Sequence, residues 1–222
     1  MGSATSVPRP MRVIAIDGPA GSGKSTVARA VADRLGLAYL DTGAMYRSVT
    51  FAALRRSLDP TDHEQVAKLA HELDIVVADR VLVDGEDATA EIRGPEVTSA
   101  VSAVAANPDV RAELVGRQRR WAADHDGGVI EGRDIGSVVF PDAQLKVYLT
   151  ASDEERARRR ALEASADDVD AVAADIARRD HVDSTRSASP LTAARDAIVI
   201  DTTGRSVDDI VDEILARVEQ RS

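Results

Sequence analysis

Cysteine is absent from the chain, which excludes disulfides and thiolate metal sites and makes a reducing, cytoplasmic setting the simplest expectation. Aromatic residues make up only 3%, so a core has to be built mainly from Ala, Val, Leu and Ile. No apolar run approaches the roughly 20 residues that cross a bilayer, and no membrane partner is expected. Met1–Pro10 lacks the apolar stretch of a secretory signal and reads as a loose tail. A basic surplus is missing too: the net charge of −10 argues against a general nucleic-acid partner. The four histidines all lie outside the motifs, His181 being the nearest, and no histidine catalyst is expected.

What is present is an ordinary globular composition, 44% hydrophobic and 30% charged, over 222 residues. That length suits one α/β domain, placed here at 11–222, with room for a small insertion. Of the 28 basic residues three are lysine (Lys24, Lys68, Lys146), and the other 25 are arginine. Arginine grips phosphates bidentately, but genome composition also raises its count, so placement has to decide.

Arg12–Asp17 is a β-branched run ended by a glycine-rich turn and reads as a buried strand. Ser25–Leu35 has helical spacing and stops at Gly36. Ala38–Leu40 reads as a short strand, and Ala44–Arg56 and His63–Leu73 as helices. The texture then changes: Ile75–Val77, Val81–Val83 and Thr89–Ile92 are short strand-like pieces, with Asp84-Gly85 as a turn signal. They predict a small antiparallel insertion. Helices are expected again over Pro95–Ala106 and Pro108–Ala123, then strands at Gly128–Glu131, Leu145–Leu149 and Ala197–Ile200. An Arg-rich helical region covers Ser152–Asp183, and an amphipathic helix Val207–Val218 follows. Alternating strands and helices predict a parallel sheet covered on both faces.

Gly18-Pro19-Ala20-Gly21-Ser22-Gly23-Lys24-Ser25 fits G-x-x-x-x-G-K-[ST] at every fixed position, after a strand and before a helix. Glycines let successive N–H groups turn inward around phosphate oxygens, and the helix N-terminus adds its positive end. Lys24 supplies a cation for the β- and γ-phosphates, and Ser25 can ligate Mg²⁺. Gly18 to Thr26 are therefore the candidate ATP-binding residues. The pattern says little about the acceptor.

Further segments are more specific: Ile16-Asp17-Gly18-Pro19, Leu40-Asp41-Thr42-Gly43-Ala44-Met45-Tyr46-Arg47, Glu131-Gly132-Arg133-Asp134-Ile135-Gly136, and Arg179-Asp180 running to Asp183 and Arg186. With them the chain resembles the cytidylate kinases from about Met11 to Val218. The resemblance implies an α/β nucleoside monophosphate kinase fold, with a parallel sheet flanked by helices. It also implies a monophosphate-binding β insertion at about 72–106 and a helical lid at about 156–187. The implied reaction is γ-phosphoryl transfer from MgATP to CMP, and to dCMP.

Site residues are implied in the same way. Arg47, Arg133 and Arg186 match positions that hold the CMP phosphate, with Thr42 close by. Asp134, Arg111 and Ser102 match positions that read cytosine, whose N4 amino group suits a carboxylate while N3 and O2 suit donors. Arg179 and Asp183 match ribose contacts, although four-residue spacing also fits an intrahelical ion pair. Arg156 and Arg160 are the expected inward pair of the lid, joining Lys24 and Arg133 in catalysis. Ordinary solvated surface charge is the rival reading for each isolated arginine, and Ser102 and Arg111 could equally be surface positions of a helix. Glu131, Asp17 and Asp41 are equal candidates to order the Mg²⁺ water shell. A monomer is the default. A kinase for UMP, AMP or a shikimate-like acceptor, or a non-catalytic NTP-dependent switch, are the alternatives.

Overall fold

The computed structural model describes residues 11–164, 168–185, 189 and 191–221, so the tail reading for Met1–Pro10 lies outside the described residues. Five parallel strands form the main sheet: β1 (Arg12–Asp17), β2 (Tyr39–Asp41), β6 (Gly127–Gly132), β7 (Leu145–Thr150) and β8 (Ile198–Asp201). Their order is β2-β6-β1-β7-β8. β1 sits in the middle, paired with β6 through Asp17↔Gly132 and with β7 through Asp17↔Tyr148.

The alternation within β1 divides the core. Val13 and Ala15 point to one face, and Ile14 and Ile16 to the other. The Ile14 face is covered by α1 (Lys24–Leu35) and α8 (Val207–Glu219) through Val27, Val31, Ile210 and Ile214. The Val13 face meets α2 (Thr42–Arg55), α3 (His63–Glu72), α4 (Pro95–Ala106) and α5 (Pro108–Asp124) through residues such as Val49, Val66, Val104 and Leu114. Burial on both faces explains why the strands read as unbroken apolar runs.

A separate antiparallel sheet, order β3-β4-β5, comprises Ile75–Val77, Val81–Val83 and Glu86–Asp87. Asp84 and Gly85 both adopt positive φ, 51° and 81°, which makes the tight turn that Asp-Gly announces. The expected third strand at Thr89–Ile92 is corrected. Glu86–Asp87 pairs instead, and Glu91–Arg93 forms a 3₁₀ turn. Two local interactions decide this: Thr89 folds back onto Asp87, and Ile92 donates to Ala88 O while its side chain is fully buried.

Two further boundaries differ. α2 begins at Thr42 because the Asp41 carboxylate accepts the Ala44 N–H at 3.0 Å as its N-cap. Gly43 is therefore in the first helical turn. The single Arg-rich helical region is two helices, α6 (Asp153–Ala164) and α7 (Val169–Thr185).

Candidate active site

β1 ends at Asp17 and the chain turns at once through the glycine loop into α1. Gly18, Gly21 and Gly23 adopt φ of 152°, 75° and 84°, the last as the N-cap of α1. A side chain at Gly18 would meet Leu149 O at 2.1 Å, so only glycine lets β7 and the loop lie this close. Lys24 folds back and donates to Pro19 O at 2.7 Å. Burial, followed by the Arg133 charge, lowers its ammonium to about 7.

The cleft beyond this loop opens at the carboxyl ends of β1, β2 and β6. It is lined by Gly21, Lys24, Ser25 and Thr26, by Thr42 and Arg47 of α2 and by Ser102 of α4. Arg111 comes from α5, Arg133 and Asp134 from the turn after β6, and Arg160, Arg179 and Asp183 from α6 and α7. Gly21 and Asp183, 162 positions apart in the chain, thus meet in one cleft. Arg186 lies outside the described residues.

Positive charge is concentrated there beyond what the carboxylates offset. Burial lowers the Arg47 guanidinium, helped by the Arg179 and Arg160 charges. Arg179 is lowered by burial and then by Arg133. Its Nε is buried without a hydrogen-bond partner among the described residues. Asp183 accepts from Arg133 Nε at 3.1 Å. Arg47 is aimed by the insertion: its Nη1 donates to Ile92 O and to Thr98 Oγ1, each at 2.9 Å. At the far end of the cleft Arg111 pairs with Asp134, and both side chains are almost wholly buried. That burial removes the surface-residue reading for Arg111.

The expected inward pair on α6 divides. Arg160 lines the cleft and pairs with Glu163 at 3.0 Å. Arg156 is absent from the cleft wall, because its guanidinium clasps the loop itself, donating to Ala20 O at 3.0 Å and to Asp180 and Asp153. Asp180 completes the clasp by accepting the Ala20 N–H at 3.3 Å. Asp180 was not singled out from the sequence, although it stands beside Arg179 in a motif.

Three carboxylates were equal candidates beside Ser25, and the geometry separates them. Asp17 gives both oxygens to the backbone N–H groups of Ile135 and Gly136, each at 2.8 Å. Asp41 caps α2 and pairs with Arg93 at 3.1 Å. Glu131 accepts from Ser25 Oγ at 3.1 Å, and its other oxygen accepts from the Tyr39 hydroxyl. Burial, then the Asp41 charge, raises Glu131 to about 7. Among the described residues no group of three or more His, Asp or Glu could hold a metal by itself. One hydroxyl and one carboxylate do suit Mg²⁺ that arrives with nucleotide phosphates and keeps its waters.

The family model for cytidylate kinase matches residues 14–220. The chain belongs to the cytidylate kinase family. It is 52% identical over 219 residues to a cytidylate kinase of Mycolicibacterium paratuberculosis, covering 95% of this chain and 96% of that one. A cytidylate kinase of Rhodococcus jostii is 50% identical with the same coverage. Among solved structures, an uncharacterized protein from Eubacterium ventriosum superposes with TM-score 0.56 at 14% identity, over 94% of this chain and 98% of that one. A gluconokinase from Sinorhizobium meliloti does so with TM-score 0.53 at 14% identity, over 96% and 94%. Likeness at that identity speaks for the fold alone. Among the described residues no helix is long and apolar enough to cross a membrane.

Proposed function

We propose that the chain transfers the γ-phosphoryl group of MgATP to CMP, and to dCMP, giving the diphosphate and ADP. The observation that carries this reading is the pairing of a phosphate loop with a second cluster of cations, Arg47, Arg133, Arg160 and Arg179, in the same cleft. One anion would leave that mutual repulsion largely uncompensated, and two anions relieve it.

ATP lies along the loop from Gly18 to Thr26, with its β- and γ-phosphates on the backbone N–H groups and Lys24. Mg²⁺ would be held by the phosphates and Ser25, with Glu131 on its water shell, and would supply charge neutralisation. Arg47, Arg133 and Arg186 hold the CMP phosphate, with Thr42 beside them. Arg179 and Asp183 hold the ribose. A CMP phosphate oxygen attacks the γ-phosphorus in line while the bond to the β-phosphate oxygen breaks. The acceptor is already an anion, so no strong general base is needed.

Lys24, Arg133 and Arg160 spread their charge over the transferring group, and Arg156 acts on the loop that carries the donor. The segment 156–187 serves as the lid, excluding water that would hydrolyse ATP. The insertion, about 72–106, aims Arg47 at the acceptor. Asp134 accepts from the cytosine amino group while Arg111 and Ser102 donate to N3 and O2. Uracil sets O4 against Asp134, a repulsive contact that favours CMP.

The test is a coupled assay of ADP release with MgATP and equal concentrations of CMP, dCMP, UMP, AMP, dTMP and shikimate. Turnover concentrated on CMP and dCMP is expected. Comparable turnover on UMP or AMP would overturn the account of base choice. Silence on all six by folded, ATP-binding protein would favour a non-catalytic switch.

A further inference from the structure

Asp17 is the last residue of the central strand and the residue before Gly18 of the phosphate loop, yet its carboxylate bonds the turn after β6 rather than the loop. Its Oδ1 accepts the Ile135 N–H and its Oδ2 the Gly136 N–H, both at 2.8 Å and both buried. Those amides open the five-residue π-helical turn Ile135–Val139, whose N-cap is Asp134. The amides at the start of a helical turn have no partner within it, and Asp17 supplies one for each. Val138 and Val139 then donate to Asp134 O at 2.9 and 3.2 Å, which closes the turn onto the same residue.

Two bonds from one carboxylate to consecutive amides fix two peptide planes at once. The anchor is rigid, because Asp17 stands opposite Gly132 in the parallel register of β1 and β6. Only Arg133 lies between that paired glycine and Asp134. The orientation of the Asp134 side chain toward Arg111 is thereby referred to the middle of the sheet rather than to a free loop.

We infer that Asp17 is a specificity-determining positioning residue, which sets the acceptor-base preference by holding the turn that carries Asp134. This rests on the reading of Asp134 as the cytosine-facing carboxylate. It also separates two duties at the end of β1: the backbone of Gly18 and beyond serves the donor, and the Asp17 side chain serves the acceptor.

The experiment compares the wild-type protein with Asp17→Asn and Asp17→Ala. For each, kcat and KM are measured with CMP and UMP at saturating MgATP, ADP affinity is measured by calorimetry, and Tm is recorded. The expected result is a rise in KM for CMP and a fall of about tenfold in the CMP-over-UMP ratio of kcat/KM, the size of losing one charged hydrogen bond. ADP affinity should fall by much less than the use of CMP, since Asp17 hydrogen-bonds neither the loop amides nor Lys24.

A lowered Tm with an unchanged CMP-over-UMP ratio would make Asp17 a structural cap and overturn the inference. So would a loss of ADP affinity that matches the loss with CMP. Should Asp17→Ala not fold, the isosteric Asp17→Asn, which keeps one acceptor oxygen, carries the test. A wild-type protein that does not prefer CMP over UMP would instead overturn the Asp134 reading itself, so the two failures are distinguishable.

Discussion

Arg111 on α5 and Asp134 after β6 form an ion pair with side chains only 5% and 6% exposed, 23 residues apart in the chain. Burial of both charges makes the pair costly to break from one side, because the survivor keeps its desolvation without its partner. Arg111→Met should destabilise the protein by about 3–5 kcal/mol, read by urea unfolding, and should raise KM for CMP. Asp134→Ala should damage the use of CMP far more than ATP binding. Equal losses toward the two nucleotides would remove Asp134 from base selection.

Gly21 touches α6 rather than open space. A Cβ there would lie 2.7 Å from Arg156 O, at a φ of 75° that side chains rarely adopt. Gly21→Ala should therefore displace either the loop or the helix that clasps it, at a cost of about 1–3 kcal/mol. ADP affinity, measured by calorimetry, should fall by about tenfold or more. An unchanged affinity would mean that the loop and α6 separate freely.

Burial lowers Lys24 to about 7, and polyphosphate beside it favours the charged form. Nucleotide binding should accordingly draw a proton from solution. With Lys24 lowered toward neutrality, binding of metal-free ADP at pH 7.5 should be accompanied by uptake of a fraction of a proton through Lys24. Calorimetry in buffers of different ionisation enthalpy reads this directly, and uptake should shrink below pH 6 and in Lys24→Gln. Buffer-independent heats at pH 7.5 would refute it.

Tyr39 holds Glu131 from behind the cleft, donating its hydroxyl to one carboxylate oxygen, with the Arg29 guanidinium 4.5 Å above its ring. Tyr39→Phe leaves Glu131 free to swing away from Ser25. The Mg²⁺ concentration needed for half-maximal ADP binding should rise about three- to tenfold, with metal-free ADP binding unchanged. Equal change in both would make Tyr39 a packing residue only.

Much of this was legible in the residues. The β-branched runs and the spacing of glycines and prolines marked the strands and most helices, because those signals act within a few residues. Asp84-Gly85 foretold its turn by backbone sterics alone, and the glycine loop named its ligand class by the same local logic. The third strand of the insertion was misplaced because Thr89–Ile92 alternates well enough for a strand. What outweighed that pattern were the Asp87 side chain and the burial of Ile92, which the pattern does not contain.

The sequence by itself determined the fold class and the phosphate loop, and its resemblance to a family pointed to many of the residues that line the cleft, though it also put Arg156 among them. Only the tertiary structure decided what each of them touches: that Arg111 is buried against Asp134, that Arg156 clasps Ala20 with Asp180, and that Glu131 rather than Asp17 faces Ser25. The reason is one of range. Propensity and turn chemistry are written in neighbouring residues, whereas the partner of a charge depends on which strands lie side by side, and here β1 lies between β6 and β7, more than 100 residues further along the chain.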